Sequence, residues 1–268
     1  MGRRRFACFV GLVALDETEA ADWRNGAAYA PLLDADRSVL AWEWLRRDPG
    51  YRAAWTAAWS SGTRDGAVGA EPWGLQIFEP PYLAAPHARP IWCAQSHPLV
   101  LAAIAAGPGE ERDWFDLDRL APFARLVRSK SGREHLLISD GLHAVRLDVL
   151  AGTLTSGPVE LRYLVSGLAS AERPLLTLRR LLVLTRTGRF SRMLHPPEPR
   201  AKRWVPMLRT FDALAAGADQ REVAGILFRP GAREPRWRSV EPSLRSRVQR
   251  LVRGARFMAG GGYLGLLQ

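Results

Sequence analysis

Apolar side chains recur at helical spacing in two separated parts of the chain and alternate only in between. Near the start, Asp34 or Asp36 stands where a helix cap belongs, ahead of Leu40, Trp44 and Leu45 on one side. Asp48-Pro49 ends that helix and opens another, with Asp48 as N-cap and Pro49 at the first helical position. Tyr51, Trp55, Ala58 and Trp59 follow at helical spacing. Ser60 to Gly74 is small, polar and glycine-rich, the composition of a linker. The prolines between Trp73 and Pro98 forbid regular structure over most of that stretch. Phe123–Arg128, Glu134–Ser139 and Leu142–Val149 are predicted as three short strands. Ser131-Gly132 and Asp140-Gly141 lie at the turns between them, the second a strong hairpin signal.

From about Ser170 the helical period returns, with Leu175, Leu178, Leu181, Leu182 and Thr185 on one face and Gly188 as terminator. After the linker His195–Pro199, the positions Met207, Leu208, Phe211, Leu214 and Ala215 mark a further helix, closed by Gly217. Asp219 and Glu222 then form a capping-box pattern for a helix carrying Val223, Ala224, Ile226 and Leu227. In the last helix, Ser243 to Met258, the residues Leu244, Val248, Leu251, Val252, Ala255 and Met258 occupy one stripe. At about 100° per residue that stripe spans roughly −40° to +80°, while Arg245, Arg247, Arg250, Arg253 and Arg256 cover about 100° to 300°.

These elements predict an α+β protein, mainly α, with a small N-terminal helical domain, a short antiparallel β-meander and a C-terminal helix-turn-helix-like bundle. The corresponding division is an arm over 1–20, a Trp-rich helical domain over 21–72, a Pro-rich connector over 73–110 and a mixed domain over 111–268.

Charge sharpens the picture because it is unevenly placed. The formal net charge is +11, yet Leu161 to Gln268 alone holds 21 Arg/Lys against 7 Asp/Glu, a net of +14. Nearly all of that excess is arginine, whose planar fork suits phosphates and guanine edges. The plainer reading is a compositional bias toward arginine, but a bias should not spare the first 160 residues. Cys8 and Cys93 build neither a disulfide framework nor a CxxC pair, which fits a reducing, cytoplasmic compartment. Arg3-Arg4-Arg5 before the apolar run Phe6–Leu15 resembles the start of a signal peptide. Asp16, Glu17 and Glu19 follow at once without an obvious cleavage site, so the segment is read as a short arm or an extension ahead of the domain, with export as the alternative. No apolar run reaches the roughly 20 residues of a membrane span.

Two helices joined by a tight corner, followed by an amphipathic Arg-rich helix, are what a helix-turn-helix reader requires; three packed helices with an idle basic surface are the alternative. The candidate DNA-binding residues are Arg245, Arg247, Gln249, Arg250, Arg253 and Arg256 on the last helix and Gln220 and Arg221 on the one before. Arg236 and Arg238, in the connecting stretch Arg229–Pro242, complete the set, with Trp237 expected to pin that stretch to the core. The long connection departs from the usual three- or four-residue corner. The five histidines show no metal-ligand spacing, and no GxGxxG, Walker-type loop or GxSxG elbow occurs. Asp113, Asp116 and Asp118 read as a capped amphipathic turn rather than a catalytic cluster. No catalytic residue, metal or cofactor is therefore expected, and the chain is read as not an enzyme.

The stretch Trp23-Arg24, Tyr29–Arg37 and Ala41–Arg52 resembles the N-terminal transcriptional regulator-like domain of uncharacterised alphaproteobacterial proteins. The segments Gly157–Val159, Ala213–Gly217, Gln220–Ala224, Leu244–Val248 and Gly261–Tyr263 resemble the domain of unknown function that commonly accompanies it. Members with an assigned role are activators of excision genes on rhizobial integrative and conjugative elements, and a related antiactivator. The resemblance implies a helix-turn-helix-like DNA-binding domain and a role in transcription.

The expected partner is duplex DNA, with a related regulator or RNA polymerase as a protein partner and no membrane; the alternative is an antiactivator that sequesters a relative without touching DNA. Residues 161–268 alone should retain most non-specific binding. The whole reading requires the last helix to face outward; a helix turned inward, its cations neutralised by acidic neighbours, would overturn it.

Overall fold

A computed structural model describes residues 22–60, 69–228 and 242–268. The arm over 1–20, with Cys8 and the basic and apolar runs, lies outside the described residues, and so do Arg236, Trp237 and Arg238. The helices are α1 (Arg37–Leu45), α2 (Pro49–Ser60), α3 (Glu172–Thr187), α4 (Ala201–Ala215), α5 (Gln220–Leu227) and α6 (Pro242–Ala259). The strands are β1 (Val100–Ala106), β2 (Trp114–Phe115), β3 (Ala124–Arg128), β4 (Glu134–Ser139), β5 (Ala144–Ala151) and β6 (Val159–Leu164).

Local chemistry sets several boundaries. Asp48 accepts the Tyr51 amide at 3.0 Å, the N-cap bond that starts α2 at Pro49. Asp36 occupies the N-cap position of α1, but its carboxylate caps no amide of that helix. It turns instead to the Ala144 amide at 2.9 Å and His195 Nδ1 at 3.0 Å. At the β4–β5 turn, Gly141 has φ +98° and any Cβ would fall on the Pro86 carbonyl oxygen, so glycine is required there.

The sheet corrects the expected meander. β3, β4 and β5 run antiparallel, but they form one side of a six-stranded sheet of order β2-β6-β1-β5-β4-β3. β1 lies parallel to β5, with Val100 opposite Arg146 and Ala103 opposite Val149, and β6 returns antiparallel to β1. The sheet is therefore mixed. α3 packs on β1 and β5, and Leu101, Leu136, Ile138, Leu147, Leu181 and Leu184 share one apolar cluster. The face of α3 also differs from the expected one: Leu175 and Leu182 are exposed, whereas Thr177, Arg180, Leu181 and Leu184 are buried.

The largest cluster joins the two ends of the chain. Tyr29, Trp42, Trp44 and Tyr51 pack with Val205, Met207 and Leu208 of α4 and with Ala255 and Met258 of α6. Residues 73–110, expected as a connector, contribute Leu75, Phe78 and Trp92 to that cluster and β1 to the middle of the sheet. No described helix is long and apolar enough to cross a membrane.

Candidate nucleic-acid interface

The three C-terminal helices close around their own small core. Asp219 caps α5 by accepting the Arg221 and Glu222 amides, both at 2.8 Å. Glu222 reaches back to the Asp219 amide at 3.0 Å, so the capping box read from sequence is complete. Val223 and Ala224 of α5, Ala213 of α4 and Leu244, Val248 and Val252 of α6 pack together over the buried ring of Trp23.

The apolar stripe of α6 faces this core: Leu244, Val248, Val252, Ala255 and Met258 are buried and Leu251 is half-buried. Arg245, Arg247, Arg250, Arg253 and Arg256 are all exposed. Among the described residues no carboxylate pairs with any of them. Among the described residues, then, α6 turns its arginines outward and nothing neutralises them.

Packing divides the arginines into two rows. Arg247, Arg250 and Arg253 face α4 across an open groove of about 820 Å³, whose opposite wall carries Lys202, Arg203 and Pro206. Gly254 lets the helices approach, since a Cβ there would lie 2.4 Å from Met207 Cε. Phe228 lies in the groove with the Arg247 guanidinium carbon 4.2 Å from its ring centroid, a cation–π contact that fixes the arginine's direction. Arg250 Nε donates to the Ser246 carbonyl at 3.3 Å, and Phe257 projects from the rim with 69% of its surface exposed. Five cations and two aromatic rings thus surround one concavity. A channel lined by cations with low-dielectric walls focuses a positive potential that draws in a polyanion, and aromatic rings offer surfaces to bases or sugars.

Arg245, Gln249 and Arg256 form the second row, away from the groove. Gln220 and Arg221 also lie outside it; Arg221 sits with Arg24 and Glu222 in a separate shallow depression, where Arg24 approaches Glu222 at 3.6 Å. Lys202, Arg203, Phe228 and Phe257 were not among the residues chosen from sequence. The basic pair at the start of α4 was a signal, but only the packing of α4 on α6 makes it part of the same surface.

Two other polar clusters are satisfied internally. Arg146 is buried beside Asp148 at 2.8 Å and donates to the Leu136 and Leu147 carbonyls, while His135 meets the same Asp148 at 2.6 Å. Asp113, Asp116 and Asp118 belong to two short 3-10 turns, with Asp116 capping the second through the Asp118 amide. Among the described residues no group of histidine, cysteine and carboxylate side chains is arranged to hold a metal ion.

Two family models match the chain. Residues 22–77 match a proteobacterial transcriptional regulator-like domain, and residues 166–268 match a domain described as "T6SS, Transcription factor, DNA binding domain". No curated protein matches it. The chain is thus similar over its first segment to a transcriptional regulator and over its last to the DNA-binding part of a transcription factor, and neither likeness is to an enzyme family.

Proposed function

We propose that the protein binds duplex DNA in the cytoplasm through the helix-turn-helix-like unit α4–α6, and that it regulates transcription as an activator of mobile-element excision or transfer genes. The observation that carries the DNA-binding part is the groove between α4 and α6, where Lys202, Arg203, Arg247, Arg250 and Arg253 converge without an acidic neighbour among the described residues. The DNA-binding domain matched over 166–268 contains all five. The mobile-element role rests on the resemblance of the N-terminal motif. Trp59, 62% exposed and stacked on Trp55, with Tyr82 edge-on to Trp55, gives the N-terminal helices an aromatic surface suited to RNA polymerase or a related regulator.

Fluorescence anisotropy with a duplex from the gene's own neighbourhood tests the binding. If the five cations each neutralise one phosphate, log K falls with log salt at a slope of about −4 to −5. Raising salt from about 50 to 200 mM then weakens binding several hundredfold. Reversing Arg247 and Arg250 to glutamate should remove most of the affinity at about 100 mM salt, and an unchanged affinity there rejects the interface. The antiactivator reading predicts instead a stable complex with a related regulator and no retardation of any promoter fragment.

A further inference from the structure

A second cavity, of about 320 Å³, shares no lining residue with the groove and lies where the start of α1, the entry to β1, α3, the α3–α4 linker and the C-terminal turn meet. Arg180 reaches into it from α3. Only 9% of this residue is exposed, and its Nε donates to the Leu194 carbonyl at 2.9 Å. Its Nη atoms hydrogen-bond nothing among the described residues: the nearest carboxylate oxygen, on Asp36, is 3.9 Å from Nη1, beyond hydrogen-bonding reach. Asp36 is already committed to the Ala144 amide and to His195. Those Nη atoms open onto the cavity, where a ligand oxygen can replace water as their acceptor.

The surroundings favour an anion. Because Asp36 turns away from α1, the Arg37 and Ser38 amides at that helix's first turn have no partner among the described residues, and both residues line the cavity. Arg173 stands exposed at the rim with no ion pair among the described residues. Arg37 is held by the Gly265 and Gln268 main-chain oxygens at 2.9 Å and lies 3.8 Å from Glu198, which leaves Arg173 and Arg180 as the lining arginines able to meet an anion. His97, also in the lining, donates Nδ1–H to the Leu267 carbonyl and adds no charge near neutrality. An arginine fork beside a helix N-terminus is suited to a planar or tetrahedral oxyanion, and the volume fits a small molecule.

We propose that this cavity binds a small oxyanion-bearing metabolite, a carboxylate or a phosphate, through Arg180, Arg173 and the first amides of α1. The site shares no lining residue with the DNA interface. It touches both α1 and the linker that leads into α4, which is where an effector of a regulator would act.

The test uses the full chain in a chloride buffer, with inorganic phosphate and succinate titrated separately and sodium chloride at matched ionic strength as control. Thermal unfolding should show a saturable rise in midpoint with at least one anion, and calorimetry a stoichiometric heat. A response to phosphate alone identifies a phosphoryl ligand, and one to succinate alone a carboxylate. Arg180→Gln should weaken binding at least tenfold. Arg173→Ser, at an exposed side chain with no ion pair among the described residues, should weaken it severalfold and decides the matter should Arg180→Gln not fold. Arg250→Glu should leave the anion response unchanged whatever it does to DNA. A shift no larger than with chloride, an unchanged response in Arg173→Ser, or loss of the response in Arg250→Glu would overturn the site.

Discussion

His97 shows how a single burial event becomes a pH dependence. Burial pushes its pKa down to about 4, because the interior disfavours the charged ring, and the Leu267 carbonyl can accept only from a ring N–H. Above about pH 6.5 the ring is neutral whether the chain is folded or not. Between 6.5 and about 4 the unfolded chain binds a proton that the native state refuses, so stability falls as pH falls. At pH 5 the loss from this residue comes to about 2 kcal/mol relative to pH 7. His143 works in the opposite sense, its pKa raised by the Asp140 hydrogen bond, and its stabilisation fades as pH rises through that value. His97→Asn keeps a donor toward Leu267 and removes the titration. Urea midpoints at pH 7 and pH 5 should converge in that variant relative to the parent; an equal drop in both proteins would assign the acid sensitivity elsewhere.

A second residue-scale prediction concerns the bond that ties α1 to α4. Arg47 donates to both oxygens of Asp212, at 2.6 and 2.8 Å, and to Glu43 at 2.6 Å, while Tyr29 donates to Asp212 at 2.6 Å. All of these groups are largely buried. Burial by itself would raise the Glu43 carboxyl, but Arg46 and Arg47 hold it below the ordinary range. Asp212→Ala strands part of a buried guanidinium and should cost about 3–5 kcal/mol in chemical denaturation. Replacing both partners, Arg47→Met with Asp212→Leu, should recover much of that loss, since no buried charge is then left alone.

At the level of elements, α5 tests a local signal. Asp219→Ala removes the acceptor of two amides and should cost about 1 kcal/mol, read as a lower melting midpoint. That capping box was legible because it is written within four residues. The α6 stripe was legible because its apolar arc is narrow and its other positions are arginine. The face of α3 was not, because leucines and valine surround most of its circumference and periodicity alone selects no side; contact with β1 and β5 selects it. β1 was missed because Val100–Ala106 is mostly alanine and carries no alternation. β6 does alternate, with Val159 and Leu161 inward, but no hairpin turn joins it to β5. Its place between β1 and β2, like the parallel pairing of β1 with β5, depends on partners distant in sequence. The α4 wall of the groove was hidden for the same reason, since Lys202 and Arg203 join the α6 arginines only after two helices have docked.

For the molecule as a whole, the family match over 166–268 and the packing lead to different expectations for an isolated C-terminal fragment. The sequence reading expects residues 161–268 alone to retain most non-specific DNA binding. Yet Val205, Met207 and Leu208 of α4 and Ala255 and Met258 of α6 are buried in a cluster that also contains Tyr29, Trp42 and Trp44. Trp23 plugs the small core beneath α5, and its carbonyl is held by Arg209 at 3.0 Å. Cutting the chain before residue 166 exposes these apolar faces and leaves Asp212 without its Arg47 partner. At about 25 cal/mol per Å² of apolar surface, uncovering even a few hundred Å² removes a large part of a typical domain's stability. The fragment should therefore show a broad, weakly cooperative melt and bind a hydrophobic dye, while the full chain melts sharply. Any DNA binding it retains should be the non-specific, steeply salt-dependent kind that free arginines provide. Supplying residues 22–165 in trans should restore both the cooperative melt and the groove's affinity. A fragment that melts as sharply as the parent and binds as tightly would show that the shared core is dispensable, and that the N-terminal helices serve only their own partner.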